Sequence, residues 1–89
     1  MKKEYYEYQY SVEYWDHKLD VNITKHTDSL ARAIRMFHTR IQRHPQYRID
    51  IIENERVIAS YENAAIKYYG ILKQPDWQKY LSNFPMSSY

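Results

Sequence analysis

Between Tyr5 and Trp15 the chain alternates between two kinds of side chain, and a period of two is the signature of a strand with one face buried. Tyr6, Tyr8, Tyr10, Val12 and Tyr14 fall on one face, and Tyr5, Glu7, Gln9, Ser11, Glu13 and Trp15 on the other. Leu19, Val21 and Ile23 continue the alternation against Asp20, Asn22 and Thr24, which predicts an antiparallel hairpin around Asp16-His17. In that register Tyr14 faces Leu19, Val12 faces Val21 and Tyr10 faces Ile23, so the apolar faces coincide. The turn lacks the glycine that a tight loop favours and would set Glu13 against Asp20, which leaves a longer loop as the alternative.

The period then changes. Leu30, Ile34, Phe37 and Ile41 recur at helical spacing after an oxygen cap at Thr27-Asp28, predicting a helix from about Asp28 to Gln42 that Pro45 ends. Tyr47 to Glu53 and Arg56 to Tyr61 read as a second hairpin turning at Asn54-Glu55, with Ile51 against Ile58 and Ile52 against Val57 on opposite faces. Both sides of that hairpin are then covered, or one side binds something. Asn63 opens a predicted helix to about Lys73, with Ala64, Tyr68, Ile71 and Leu72 on one face. Pro75 starts a short last helix bearing Trp77, Tyr80, Leu81 and Phe84, which Pro85 ends before a loose tail at 86–89. The expected fold is one small α+β domain over 1–85, an antiparallel sheet of about four strands in ββαββαα order with helices packed on it.

Composition narrows the function. With 89 residues a two-domain enzyme is excluded, and a net charge of +2 describes neither a polyanion mimic nor a strongly basic tail. Eleven tyrosines within 17% aromatics argue for a folded chain. Zero cysteines exclude a disulfide framework, a thiolate nucleophile and a zinc ribbon, and suit a reducing compartment. No apolar run reads as a secretory leader or a membrane span, so the expectation is a soluble cytoplasmic protein.

The leading candidate for function is the outer face of the first helix. Arg32, Arg35, Thr39 and Arg43 point away from the apolar stripe and Arg40 lies on its flank, with no acidic residue after Asp28. Guanidinium forks suit phosphates and carboxylates, whereas solvated helix faces more often mix lysine with glutamate. Of the aromatics, Tyr5 and Trp15 lie on the more polar strand face and are the expected exposed anchors. Most of the ladder reads as core, Tyr10 and Tyr14 with Val12. A second interface is read at Ile52, Val57, Tyr69 and Trp77, where exposed apolar surface would serve homodimerisation or a heteromeric partner. The C-terminal aromatics otherwise close the core.

Catalytic signatures are sparse. Histidines 17, 26, 38 and 44 show no ligand spacing, so no metal is expected. Asp50, Glu53 and Glu55 lack the lysine of a metal nuclease, and one glycine cannot build a phosphate-cradling loop, so no cofactor is expected. Tyr68-Tyr69-Gly70-Ile71 holds the letters of a GIY-YIG element in the wrong order. In length, cysteine content and absence of cofactor signatures, the chain resembles accessory proteins of phages and mobile elements, including anti-CRISPR-like inhibitors of bacterial defence. That resemblance attaches to no particular residue. The expectation is a non-enzymatic interaction protein that blocks or modulates a macromolecular partner, most of all a protein. A nucleic-acid-binding module using the arginine face is the alternative, and a minimal metal-independent nuclease the next.

Overall fold

A computed structural model describes residues 7–84. Its element order is β1 (Tyr10–Asp16), β2 (Val21–Thr27), α1 (Leu30–Arg43), β3 (Ile49–Glu53), β4 (Arg56–Glu62), β5 (Ala65–Tyr68), a 3-10 turn (Gly70–Lys73) and α2 (Pro75–Leu81). The α+β class and the antiparallel sheet are as predicted, with five strands in the order β2-β1-β3-β4-β5. Both β2 and β3 pair antiparallel with β1, so α1 crosses over β1 to join them. No helix among the described residues is long and apolar enough to cross a membrane.

The alternation holds from Tyr10 to Asp16, with Tyr10, Val12 and Tyr14 buried under the helices, but the strand starts at Tyr10 rather than Tyr5, and Tyr8, read on the same face as Tyr10, lies outside the strand and stacks on His26 of the opposite face. The pairing partners differ from those read. Tyr14 faces Ile23, Val12 faces Lys25 and Tyr10 faces Thr27, because the loop holds His17 to Asp20 rather than Asp16-His17 alone. The Asp16 carboxylate accepts from the Lys18 and Leu19 N–H groups at 2.9 and 3.1 Å, its carbonyl from Asp20 N–H at 2.8 Å, and Asp20 takes φ +57°. The longer loop sets Glu13 opposite Thr24 instead of Asp20, removing a like-charge pair. It also moves Leu19 into the loop, 65% exposed, and leaves Val21 at the exposed start of β2.

Helix α1 begins two residues later than expected, at Leu30 rather than Asp28. The Thr27 hydroxyl accepts from Ser29 N–H at 3.1 Å, and Ser29 is the cap, its hydroxyl accepting from Arg32 N–H at 3.1 Å. Its buried stripe is Leu30, Ala33, Ile34, Phe37, His38 and Ile41, the four predicted positions plus Ala33 and His38. Past the helix, Tyr47 is buried in the loop and the Tyr61 hydroxyl donates to the Pro45 carbonyl at 2.6 Å, anchoring the chain before β3. Central β3 contributes Ile49 and Ile51, both fully buried.

The β3–β4 hairpin turns at Asn54-Glu55 as read, both residues at positive φ. Ile52 faces Val57 as predicted, but Ile51 faces Ala59 rather than Ile58. A bulge at Ile58 adds one residue to β4, so two consecutive side chains, Ile58 and Ala59, are buried. The Ile58 carbonyl accepts from Tyr69 N–H at 2.9 Å, which draws the following chain onto the sheet.

The predicted helix from Asn63 to Lys73 is replaced by β5 and a 3-10 turn. Asn63 and Ala64 both adopt positive φ, +53° and +63°, the geometry of a two-residue hairpin turn, and Ile66 is buried between exposed Ala65 and Lys67. Edge pairing with β4 outweighs a helical pattern that Gly70, at φ +58°, interrupts in any case. The short last helix is α2, with Pro75 in its first turn and Leu81 fully buried. Trp77 meets Tyr80 edge-on at 5.6 Å and Tyr80 meets Phe84 at 5.4 Å, so this aromatic cluster closes the core. The expected tail at 86–89 lies outside the described residues.

Candidate functional site

Strands lie about 4.8 Å apart and packed helices about 8–10 Å apart, so one helix covers about two strands. Here α1 packs mainly on β3 and β1, and the 3-10 turn carries the chain across β4 into α2. Two helices on five strands leave β2 short of cover. Its helix-side residues Val21 and Lys25 are exposed and Ile23 is half-buried.

The uncovered strip is a groove of about 240 Å³ between α1 and the β1–β2 pair. Val12, Tyr14 and Met36 supply its apolar lining, and Lys25, Arg35 and Arg40 its charge, with Thr39 between them. Arg40 is half-buried, its guanidinium carbon 4.8 Å from the centre of the Tyr14 ring. That stacking holds the cation at the groove wall. Arg32, Arg35 and Arg43 are exposed on the outer face of α1, as the helical spacing predicts. Among the described residues none of these arginines, nor Lys25, is in a salt bridge, and no acidic residue lines the groove. Lys25 and Met36 escape a sequence reading because the true β1–β2 register is what brings Lys25 opposite Val12 on the helix side.

No helix among the described residues packs on the other side of the sheet. Register places its residues in rows: Asn22 and Trp15; then Thr24, Glu13, Asp50, Ser60 and Lys67; then His26, Ser11, Ile52 and Val57. Trp15 is 44% exposed there, as expected of it. Val57 is also exposed and Ile52 half-buried, and the charged middle row separates this pair from Trp15. Tyr69 is exposed at the corner after β5, whereas Trp77 is half-buried on the core side, so the four residues read as a second interface do not share one surface. Tyr5 lies outside the described residues.

A second groove, of about 600 Å³, opens on this face between Tyr8, Ser11, Glu13, His26, Ile52 and Glu55. Tyr8 and His26 stack with ring centres 6.0 Å apart. Burial, and next the Glu53 carboxylate beside it, push the Tyr10 hydroxyl above its usual pKa. The carboxylates weighed for metal chemistry are dispersed. Asp50 pairs with Arg48 at 3.4 Å, Glu53 accepts from the Gln9 amide at 3.3 Å, and Glu55 sits in the turn. No group of three metal-ligating side chains occurs among the described residues.

The histidines are distributed likewise. His17 and His44 both touch the Tyr47 ring, edge-on at 5.1 Å and stacked at 4.7 Å. His38 is buried on the opposite flank of α1 from Arg40, stacked on Phe84 at 4.4 Å, and desolvation lowers its pKa to about 4. No family model, curated protein or solved structure matches the chain.

Proposed function

We propose that this chain is a small, non-enzymatic cytoplasmic protein that binds an acidic surface of a partner protein through α1, and thereby blocks or modulates that partner. One observation carries the reading. Five cations, Lys25, Arg32, Arg35, Arg40 and Arg43, lie on α1 and the groove beside it, with no salt bridge to any described residue. Arginines that only solubilise a helix gain from neighbouring carboxylates, and here those carboxylates lie elsewhere. An unpaired cationic face steers an acidic partner into place and disfavours a basic one. Its setting, that of small accessory inhibitors of phages and mobile elements, is put forward on size and composition alone.

The apolar floor of the groove favours protein over nucleic acid as the partner. Tyr14, the aromatic ring at the cations, is covered by Arg40 and stacked on Tyr47, and exposed Trp15 is on the opposite face of the sheet. Stacking platforms and phosphate contacts are therefore not on one surface, as single-strand binders require.

The test is affinity capture from cells that express the protein naturally, with and without nuclease, using the wild type and the Arg32→Glu/Arg35→Glu/Arg43→Glu variant. A protein partner should be retained after nuclease treatment and reduced at least about tenfold by charge reversal. Full retention by the variant, or recovery of nucleic acid alone, would overturn the reading.

A further inference from the structure

Resting on the reading of α1 as a docking face, we propose that the groove between α1 and β2 seats an acidic amphipathic helix of the partner, lying over β2 as a third helix of the layer. The geometry asks for one more helix. Helix α1 packs mainly on β3 and β1 and the 3-10 turn on β4, which leaves edge strand β2 with less cover, its Val21 and Lys25 exposed on the side where β1 and β3 are buried. The groove floor reaches Val12 and Tyr14 of β1. A helix lying over β2 projects side chains onto that floor, whereas a strand added to the edge of β2 would lie about 4.8 Å beyond it.

Charge fixes the occupant's polar face. Lys25 rises from the sheet on one wall and Arg35 and Arg40 from α1 on the other, so carboxylates on both sides of an apolar stripe find a cation. One large aliphatic side chain between them would meet Val12 and Met36. A second copy of this chain is a poor occupant, because α1 carries no acidic residue and α2 carries only Asp76. The partner is thus identified by chemistry, as a helix with leucine-like anchors on one face and glutamate or aspartate beside them.

The probe is a fluorescein-labelled peptide of about 18 residues, five turns, with Leu at i, i+4 and i+7 spacing and Glu and Ala elsewhere. Fluorescence anisotropy at about 50 mM salt follows its binding. Replacing its Leu residues by Gln at unchanged charge should weaken binding at least about tenfold, and so should Lys25→Glu or Met36→Gln in the protein. Arg48→Glu, on the open face, should leave it unchanged. Lys25 is exposed, so its variant should keep the wild-type amide spectrum and exclude misfolding as the cause.

Equal binding of the Leu and Gln peptides would mean attraction by charge alone, and would overturn this inference while leaving α1 as the docking face. So would partner capture that depends on the α1 arginines but not on Lys25 or Met36. Self-association abolished by Lys25→Glu would assign the groove to a second copy and overturn the inference. An oligonucleotide of about 20 nucleotides that binds where no acidic peptide does would overturn both readings.

Discussion

The two flanks of α1 begin from similar material and end differently. On one, His38 is buried against Phe84, which follows α2, and even a titratable ring is held neutral. On the other, Arg40 lies over Tyr14, Arg40 and Met36 are half-buried and Lys25 is exposed, with no helix among the described residues packed over them. The difference comes from which part of the chain returns to each side. Residues after β4 supply the 3-10 turn and α2 to the His38 flank, while the Arg40 flank faces Val12 and Tyr14 of β1 and Lys25 of edge strand β2. A sealed flank contributes stability, and an unsealed one offers surface for recognition.

That contrast is broken most directly by truncating one apolar side chain on each flank. Leu81→Ala should cost about 2–5 kcal/mol, whereas half-buried Met36→Ala should cost about 1 kcal/mol or less, measured by the urea midpoint at unchanged m-value. Equal costs would mean that the groove is as tightly packed as the sealed side.

Acidification should act on the sealed flank next. In the unfolded chain His38 takes up a proton below about pH 6.5, but in the folded protein only near pH 4. The unfolded state therefore binds more protons in that window. The His38 contribution is full above pH 6.5 and is lost as pH falls through about 4, on the order of 3 kcal/mol. Subtracting the stability–pH curve of His38→Leu from that of the wild type isolates this slope.

A smaller effect tests how the chain reaches the sealed flank. Ala64→Gly should raise stability by about 0.5–1 kcal/mol, because Ala64 holds φ +63° in the turn to β5. The helix read from sequence over these residues demands the opposite sign, since glycine inside a helix costs about 1 kcal/mol. The melting temperature of this one variant separates the two. Smallest of all, Arg32→Glu should change stability by no more than about 0.5 kcal/mol in chemical denaturation, while reducing partner capture. Its effect sharpens the contrast by separating recognition from folding on a single exposed residue.

Much of the architecture is legible in local pattern. The period-two run from Tyr10 onward, the helical spacing of Leu30, Ile34, Phe37 and Ile41, the turn at Asn54-Glu55 and the proline at the start of α2 all appear where periodicity and turn chemistry place them. The misreadings share a cause. The Asp16-His17 turn, the Ile51–Ile58 pairing and the Asn63–Lys73 helix each depend on which partner an already plausible segment meets, and neighbours in sequence carry little of that information. The arginine face belongs to the readable part, because helical geometry alone sets Arg32, Arg35 and Arg43 outward. The groove belongs to the other part, because Lys25 joins it only through the four-residue loop and the register that loop enforces.

By itself, then, the chain's order of residues determined one cysteine-free α+β unit, the buried side of β1, the amphipathic face of α1 and the cationic character of its back. Tertiary structure decided that β5 is a strand, that His38 is core, and that three of the cations line an apolar groove beside an uncovered strand. The physical reason is one of range. Side-chain periodicity is set within a few residues, whereas strand pairing and helix coverage are settled between segments far apart in the chain, by hydrogen bonds and burial that outweigh local preferences of about 1 kcal/mol.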